Sequence, residues 1–375
     1  MKCLPVFLLL VMGLLCPLIH AGAQADSRPS PRQLGIVIGS LAIGEHNDIT
    51  DVPGVRVGHR TIIRGDNIRT GITAILPHGG NVFLEKVPGA VVTFNGFGKL
   101  AGSTQVNELG TIESPVMLTN TLAVPRTADA VLSYMLALPG MEQVRSINPL
   151  VAETNDGFLN DIRSRAVTEQ DVIAAIGSAS TGPVEQGCVG AGTGTGCLGF
   201  KGGIGSSSRI VKIGGTSYTV GVIAQTNFGG TLTINGTRIT QSYDSEETGR
   251  GGSCVMVVAT DAPLEHRNLK RMALRVFAGM ARTGANFSNG SGDYAIAFST
   301  SEQMRAPYSG PDHLAPRSPL ANDAVSWLFV AAAEAAEEAI IASVVRAGTV
   351  TGRDGNNRPA VNIDKLKVLL GLEKK

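Results

Sequence analysis

Apolar positions in this chain fall into two spacings, and the spacings come in blocks. Across residues 36–94 short apolar runs such as Ile72-Thr-Ala-Ile-Leu76 and Ala90-Val-Val-Thr-Phe94 alternate with the turn signals Asp51-Val-Pro-Gly54 and His78-Gly-Gly80, which predicts strands. Ala130, Val131, Tyr134, Met135 and Leu138 then recur at helical spacing, and Pro139-Gly140 ends the pattern. Thr168-Glu-Gln-Asp171 has the form of a capping box for a second helix over Val172-Ile-Ala-Ala-Ile176. Residues 210–224 read as a hairpin turning at Gly214-Gly215. Residues 229–252 are polar and aromatic-poor, a loop that delivers the chain to a solid apolar run over 254–259, the mark of a buried strand.

Beyond that strand, Asp261 is a candidate N-cap with Pro263 in the first turn, and Leu264, Met272, Val276 and Met280 carry a helix to Gly284. A further strand is expected over 293–300. Residues 323–347 are alanine-rich and apolar on nearly every side, so that helix should be buried between layers. Strands and helices thus come in groups without strict alternation. The pattern implies an α+β protein in which helices cover stacked sheets. No internal repeat is visible.

Composition narrows the class. The chain has 375 residues, 43% of them hydrophobic and 17% charged, with 47 glycines, which suits a loop-rich globular protein. Lys2, an apolar stretch over residues 4–19 and the ending Ala21-Gly-Ala23-Gln-Ala25 read as a secretory signal peptide, residues 1–25, cut after Ala25. A membrane anchor is the rival reading, but the stretch is shorter than the roughly 20 apolar residues that span a bilayer. Removing Lys2 with the leader takes the 32 basic residues to 31, against 31 acidic. Near-zero charge without a basic block argues against nucleic acid or anionic membrane partners. Cys188, Cys197 and Cys254 remain after leader removal. A Cys188–Cys197 bridge or buried free thiols are both open, and free thiols are expected. The six histidines are scattered and no zinc-type spacing occurs, so neither a metal nor another cofactor is expected.

Candidate chemistry concentrates at Thr248-Gly-Arg-Gly-Gly-Ser-Cys-Val-Met-Val257. A serine heading a buried strand behind two glycines is where a chain could cut itself, between Gly252 and Ser253, and leave serine as a new N-terminus. An α-amine titrates at about 7.7–8, so much of it is neutral near pH 7 and can serve as base for its own hydroxyl. A plain Gly-Gly turn into a strand is the alternative. Four other segments carry polar groups. Gly190-Ala-Gly-Thr-Gly-Thr-Gly196 lacks the Lys-Ser/Thr of a phosphate loop and reads as a tight turn able to offer backbone N–H groups. Val151-Ala-Glu-Thr-Asn-Asp-Gly-Phe holds Glu153, a carboxylate suited to a substrate ammonium. Asn227, at a strand exit, could donate to an oxyanion. Ser291 and Asp293 stand where a loop enters a strand, and Asp293 could hold an amine or a hydroxyl.

The order of these segments resembles the N-terminal-serine aminopeptidases of peptidase family S58, which includes L-aminopeptidase/D-amino-acid esterases and β-peptidyl aminopeptidases. The likeness runs from Ile49-Thr-Asp-Val-Pro-Gly-Val-Arg-Val-Gly58 and Arg69-Thr-Gly-Ile-Thr-Ala-Ile-Leu-Pro77 to Glu153-Thr-Asn-Asp-Gly, Gly190-Ala-Gly-Thr-Gly, Phe200-Lys-Gly-Gly-Ile-Gly205, Gly252-Ser-Cys and Asn289-Gly-Ser-Gly-Asp293. It implies a four-layer αββα sandwich similar to N-terminal-nucleophile hydrolases but with its own connectivity, made jointly by an α-subunit, residues 26–252, and a β-subunit, residues 253–375. It implies Ser253 as nucleophile, Asn227 at the oxyanion, Ser291 and Asp293 positioning the amine and relaying its proton, and Glu153 binding the substrate's N-terminus. Substrates would be short peptides or amino-acid amides and esters, β-peptides among them, and the αβ pairs would assemble into rings. The family pattern admits Glu where this chain has Asp293, one methylene shorter. Some members place a tyrosine after the glutamate; Asn155 and Phe158 occupy that stretch here, so no tyrosine is assigned. An amine acyltransferase of ornithine-acetyltransferase type, which uses an N-terminal Thr, and a non-catalytic binding protein on the same scaffold are the alternatives.

Overall fold

The computed structural model describes residues 28–240, 252–308 and 317–373. Residues 1–27, which include the expected leader, residues 241–251 of the expected 229–252 loop, residues 309–316 and residues 374–375 lie outside that set. The apolar run after Gly252 is a strand, β13 (Gly252–Thr260), buried from Ser253 onward. It can be apolar on both faces because both are covered. It pairs antiparallel with β10 (Thr216–Phe228) and parallel with β14 (Ser291–Ser299). β9 (Ile204–Ile213) flanks β10 through the predicted Gly214-Gly215 turn, and β3 (Glu85–Gly96) flanks β14. With the two-residue strands β4 (Thr111–Ile112) and β15 (Ala306–Pro307) on β3, these form a seven-stranded sheet among the described residues. A four-stranded sheet lies against it, ordered β1 (Arg56–Arg64), β2 (Ile68–Leu76), β5 (Val116–Asn120), β6 (Leu150–Thr154). Short ribbons β7–β8 (Gly196–Cys197, Phe200–Lys201), β11–β12 (Thr233–Ile234, Thr237–Arg238) and β16–β17 (Val350–Thr351, Asn357–Arg358) decorate the loops.

Alternation along each strand sorts side chains between three layers of core. Val255, Val257 and Ala259 join Ile223, Ile296, Val57, Ile75 and Leu118 between the two sheets. Cys254, Met256 and Val258 point the other way, against helices α4 (His266–Arg282) and α5 (Ser326–Val345). The smaller sheet's outer face, with Ile62, Ile72 and Met117, packs under α2 (Val124–Leu136) and α3 (Glu169–Gly177). The result is the αββα sandwich. Two short helices, α1 (Ser103–Leu109) and α6 (Ile363–Leu369), lie outside this frame. The capping box forms as read: Asp171 N–H donates to Thr168 Oγ1 and Thr168 N–H to Asp171 Oδ2. α5 is buried along most of its length, and its glutamates are answered from outside it. Arg209 of β9, with no exposed surface, donates to Glu334 at 3.1 Å and Glu338 at 2.7 Å.

One expected boundary moves. α4 begins at His266, with Glu265 at the cap position, and Asp261 does not cap it. The Asp261 carboxylate instead accepts the Thr219 N–H at 2.7 Å, so a neighbouring strand claims the side chain before the helix starts. Cys188, Cys197 and Cys254 are free thiols. No described helix is long and apolar enough to cross a membrane.

Candidate active site

Topology brings the exit of β10, the starts of β13 and β14 and the exit of β6 to one end of the sandwich. Parallel pairing aligns the starts of β13 and β14, and antiparallel pairing sets the end of β10 beside them. Ser253 faces the gap between the sheets, on the side of Val255 and Val257. Its register partners are Asn227 on β10 and Gly292 on β14. A Cβ on Gly292 would lie 2.9 Å from the Phe97 carbonyl oxygen, so glycine lets that loop close over the start of β14. Ser253 is 5% exposed, and its hydroxyl donates to the carbonyl oxygen of Gly252, the residue before it, at 2.6 Å. Gly252 is itself crowded, since a Cβ there would stand 2.9 Å from Phe228 Cα.

Asn227 is oriented from both ends. Its Oδ1 accepts the Gly196 N–H at 3.0 Å, and its Nδ2 donates to the Asn155 carbonyl at 2.9 Å. An amide nitrogen carries two hydrogens, so one is left for a ligand. The Gly190–Gly196 segment therefore supplies a backbone donor, as its sequence suggested, but gives it to Asn227. Lys201, fully buried, braces the segment by donating from Nζ to the Gly192 carbonyl at 2.9 Å and the Gly202 carbonyl at 2.7 Å. Burial lowers its pKa.

Ser291 and Asp293 lie buried along the start of β14, beside the Gly252–Ser253 peptide. Ser291 Oγ donates to Asp293 Oδ1 at 2.8 Å, and Asn95 Nδ2 donates to Oδ2 at 3.1 Å. The Cys254 backbone N–H also bonds this carboxylate. Burial nonetheless dominates and raises the Asp293 pKa, with the Ser291, Asn95 and Cys254 hydrogen bonds opposing it. A β-bulge between Asp293 and Tyr294 breaks the pairing with β3 at this point, and bulges commonly re-aim side chains beside active sites.

Glu153 arrives from the other sheet, near the end of β6. It accepts the Lys99 N–H at 3.0 Å on Oε1 and the Thr121 hydroxyl on Oε2, and Lys99 Nζ lies 4.0 Å from Oε1. Burial raises its pKa, against the pull of those donors. Ser253, Asn227 and Glu153 share the lining of one cavity of about 340 Å³. Ser291 and Asp293 do not line it. They support the β13 start from behind. Among the described residues no group of three or more His, Cys, Asp or Glu is arranged to hold a metal.

Several neighbours escaped the sequence reading. Thr121 and Lys99 reach Glu153 from loops with no catalytic pattern. Asn95 lies near the end of an ordinary strand, β3. Asp156 is more telling, because it lies in the polar segment already noted around Glu153. It is fully buried, accepts the Asn160 amide at 2.9 Å, and burial lifts its pKa to about 7. Tyr294 is also buried, its pKa raised first by burial and then by the charges of Glu153 and Asp293.

Known proteins match this chain over most of its length. The model of peptidase family S58 matches residues 47–358. A beta-peptidyl aminopeptidase of Sphingosinicella microcystinivorans is 38% identical over 372 residues, covering 92% of each chain. Among solved structures, a beta-aminopeptidase of a Burkholderia species superposes with a TM-score of 0.85 at 36% identity, covering 92% of this chain and all of that one. The L-aminopeptidase D-Ala-esterase/amidase of Ochrobactrum anthropi, described as a prototype of the serine aminopeptidases and a new variant of the N-terminal-nucleophile hydrolase fold, also gives 0.85, at 34% identity, covering 92% of this chain and 98% of that one.

Proposed function

This chain belongs to peptidase family S58, and from that premise we propose that it cuts its own Gly252–Ser253 bond to become an exported N-terminal-serine aminopeptidase. Hydrolysis of an N-terminal residue is its activity class. The observation that carries the self-cutting reading is the Ser253 hydroxyl held 2.6 Å from the Gly252 carbonyl oxygen, with Asn227 as the cross-strand partner.

Processing follows from that contact. Ser253 Oγ adds to the Gly252 carbonyl carbon, the C–N bond breaks as the Ser253 nitrogen takes a proton, and an ester links Gly252 to Oγ. Water then hydrolyses the ester, leaving a carboxylate on Gly252 and a free α-amine and hydroxyl on Ser253. Before the cut that nitrogen is an amide and cannot be a base, so the uncut chain is inactive. Afterwards the α-amine takes the Oγ proton as Oγ attacks the substrate carbonyl. The second Asn227 N–H stabilises the oxyanion, a contribution of about 10²–10³ in rate for one donor. Ser291 and Asp293 position the α-amine from behind and relay its proton, and the α-amine itself protonates the leaving amine. Water resolves the acyl-enzyme. Glu153 binds the substrate ammonium.

Substrate scope extends to β-residues, a reading supported by two curated relatives named beta-peptidyl aminopeptidases. The 1–25 leader supports export to the periplasm, and the cut products remain together as αβ pairs that assemble further. The relatives favour hydrolysis over acyl transfer between amines or a non-catalytic role. Assays with p-nitroanilides of L-alanine, D-alanine and a β-homo-amino acid test the reading. Release of nitroaniline from free-amine substrates but not from N-acetyl-alanine p-nitroanilide is expected. Equal cleavage of the acetylated compound contradicts an aminopeptidase.

A further inference from the structure

A substrate ammonium on Glu153 changes the charge balance of the Ser253 cavity. Among the described residues Glu153, Lys99 and Arg358 are the charged side chains on its walls. Arg358 is stacked on Phe158, its guanidinium carbon 4.0 Å from the ring centroid. Lys99 is set differently. Its ammonium lies 4.0 Å from Glu153 Oε1, too far for a hydrogen bond. Among the described residues the Lys99 hydrogen bond to this carboxylate comes from the backbone N–H and not from Nζ. The Lys99 side chain is 54% exposed, that of Glu153 only 3%.

The backbone that carries this mobile charge is fixed. It belongs to the loop leaving β3, where Phe97 N–H donates to the Ser291 carbonyl at 3.2 Å and Gly98 N–H to the Gly96 carbonyl at 2.9 Å. A Cβ on Gly98 would stand 2.8 Å from the Tyr294 hydroxyl oxygen, so glycine lets the loop lie over that buried side chain. The Lys99 N–H then reaches Glu153 Oε1 at 3.0 Å. The loop therefore anchors Lys99 beside the carboxylate and leaves a flexible stem to aim the ammonium. Lys99 is the described cation paired with Glu153, and a substrate ammonium competes for the same oxygens. Two like charges then face each other at close range, which is unfavourable where protein walls screen less than water. A carboxylate on the carbon that bears the substrate ammonium removes the conflict, because each substrate charge then meets its opposite.

We propose that Lys99 binds a carboxylate on the N-terminal residue of the substrate, so that the preferred substrates are peptides beginning with a β-aspartyl residue. The assignment rests on the aminopeptidase reading above, in which Glu153 binds the substrate ammonium. In a β-aspartyl residue one carbon carries both the ammonium and a carboxylate, and the scissile carbonyl lies one methylene beyond it. That arrangement matches a wall on which an anion and a cation stand 4.0 Å apart. An α-aspartyl residue places its carboxylate one methylene farther from the ammonium-bearing carbon. A β-alanyl residue has no carboxylate and leaves Lys99 facing the substrate ammonium unanswered.

The test compares, at neutral pH, β-aspartyl-leucine with the same dipeptide whose α-carboxylate is converted to a carboxamide, a change of charge at nearly constant shape. Wild type should favour the acid in kcat/KM by on the order of tenfold, between the value of an exposed ion pair and that of a buried charged hydrogen bond, and mostly through KM. Lys99→Met should bring the ratio to about one, and Lys99→Glu should reverse it in favour of the carboxamide. Both variants keep the backbone N–H that Glu153 accepts, and thermal melts like wild type's show that they fold. A wild-type ratio near one, or an unchanged ratio in Lys99→Met, overturns the subsite. Hydrolysis of alanine p-nitroanilide without hydrolysis of β-aspartyl-leucine overturns the substrate class alone. Hydrolysis of neither overturns the aminopeptidase reading, and the subsite with it.

Discussion

Asn227 and Ser253 are register partners across the antiparallel pair β10–β13, and both line the same cavity. Side chains directly opposite each other in such a pair stand with Cβ atoms about 4.5–5.5 Å apart. That spacing lets one carbonyl sit between a nucleophile and an oxyanion donor. It is enforced by sheet hydrogen bonds and by the Gly196 and Asn155 contacts of the amide, so it needs no rearrangement during turnover.

Asn227→Ala should lower kcat by about 10²–10³ while leaving KM nearly unchanged, since the lost donor acts on charge that develops only in the transition state. Steady-state kinetics on alanine p-nitroanilide check this. A normal kcat removes Asn227 from the oxyanion.

Glu153→Gln should act mainly on KM, because a neutral amide no longer pairs with the substrate ammonium. Burial raises the carboxyl's pKa. The ionised form is needed, so wild-type affinity should fall with decreasing pH from a higher starting point than an ordinary glutamate would give. The variant should lose that limb of the profile. A KM and pH dependence like wild type's rule out this role.

Asp156 predicts the pH dependence of stability. Its pKa is raised from 3.8 to about 7 by burial, so between those values the folded protein holds a proton that the unfolded chain has released. Its contribution to stability is thus full below about pH 4 and is lost as pH rises through about 7. Asp156→Asn keeps an oxygen to accept the Asn160 amide and cannot ionise. Thermal melts from about pH 4 to about pH 8 should show a shallower decline in Tm than wild type, and a higher Tm at the alkaline end. Asp48, raised to about 6 by burial, leaves a residual slope. Parallel curves for the two proteins contradict the assignment.

Much of the site was legible because it follows chain-local patterns. An apolar run after Gly-Gly marks β13 and hence Ser253, and Asn227 before two glycines marks a strand exit. The layered α+β class followed from blocks of two periodicities. What the sequence could not carry is the pairing of distant segments. Asp261 looks like a cap until the Thr219 N–H, from another strand, takes its carboxylate. The glutamates of α5 look out of place among alanines until Arg209 arrives beneath them. Thr121, Lys99 and Arg358 have no local pattern at all. Their chemistry comes from the loops that tertiary packing lays against Glu153 and Phe158.

The central claim is that the Gly252–Ser253 peptide bond is exchanged for a free serine amine. Intact-mass spectrometry of the purified protein, with N-terminal sequencing of the smaller fragment, measures this directly. The account predicts two polypeptides, the smaller reading Ser-Cys-Val-Met, and one uncut, inactive chain for Ser253→Ala. A single full-length wild-type chain with full aminopeptidase activity would contradict it.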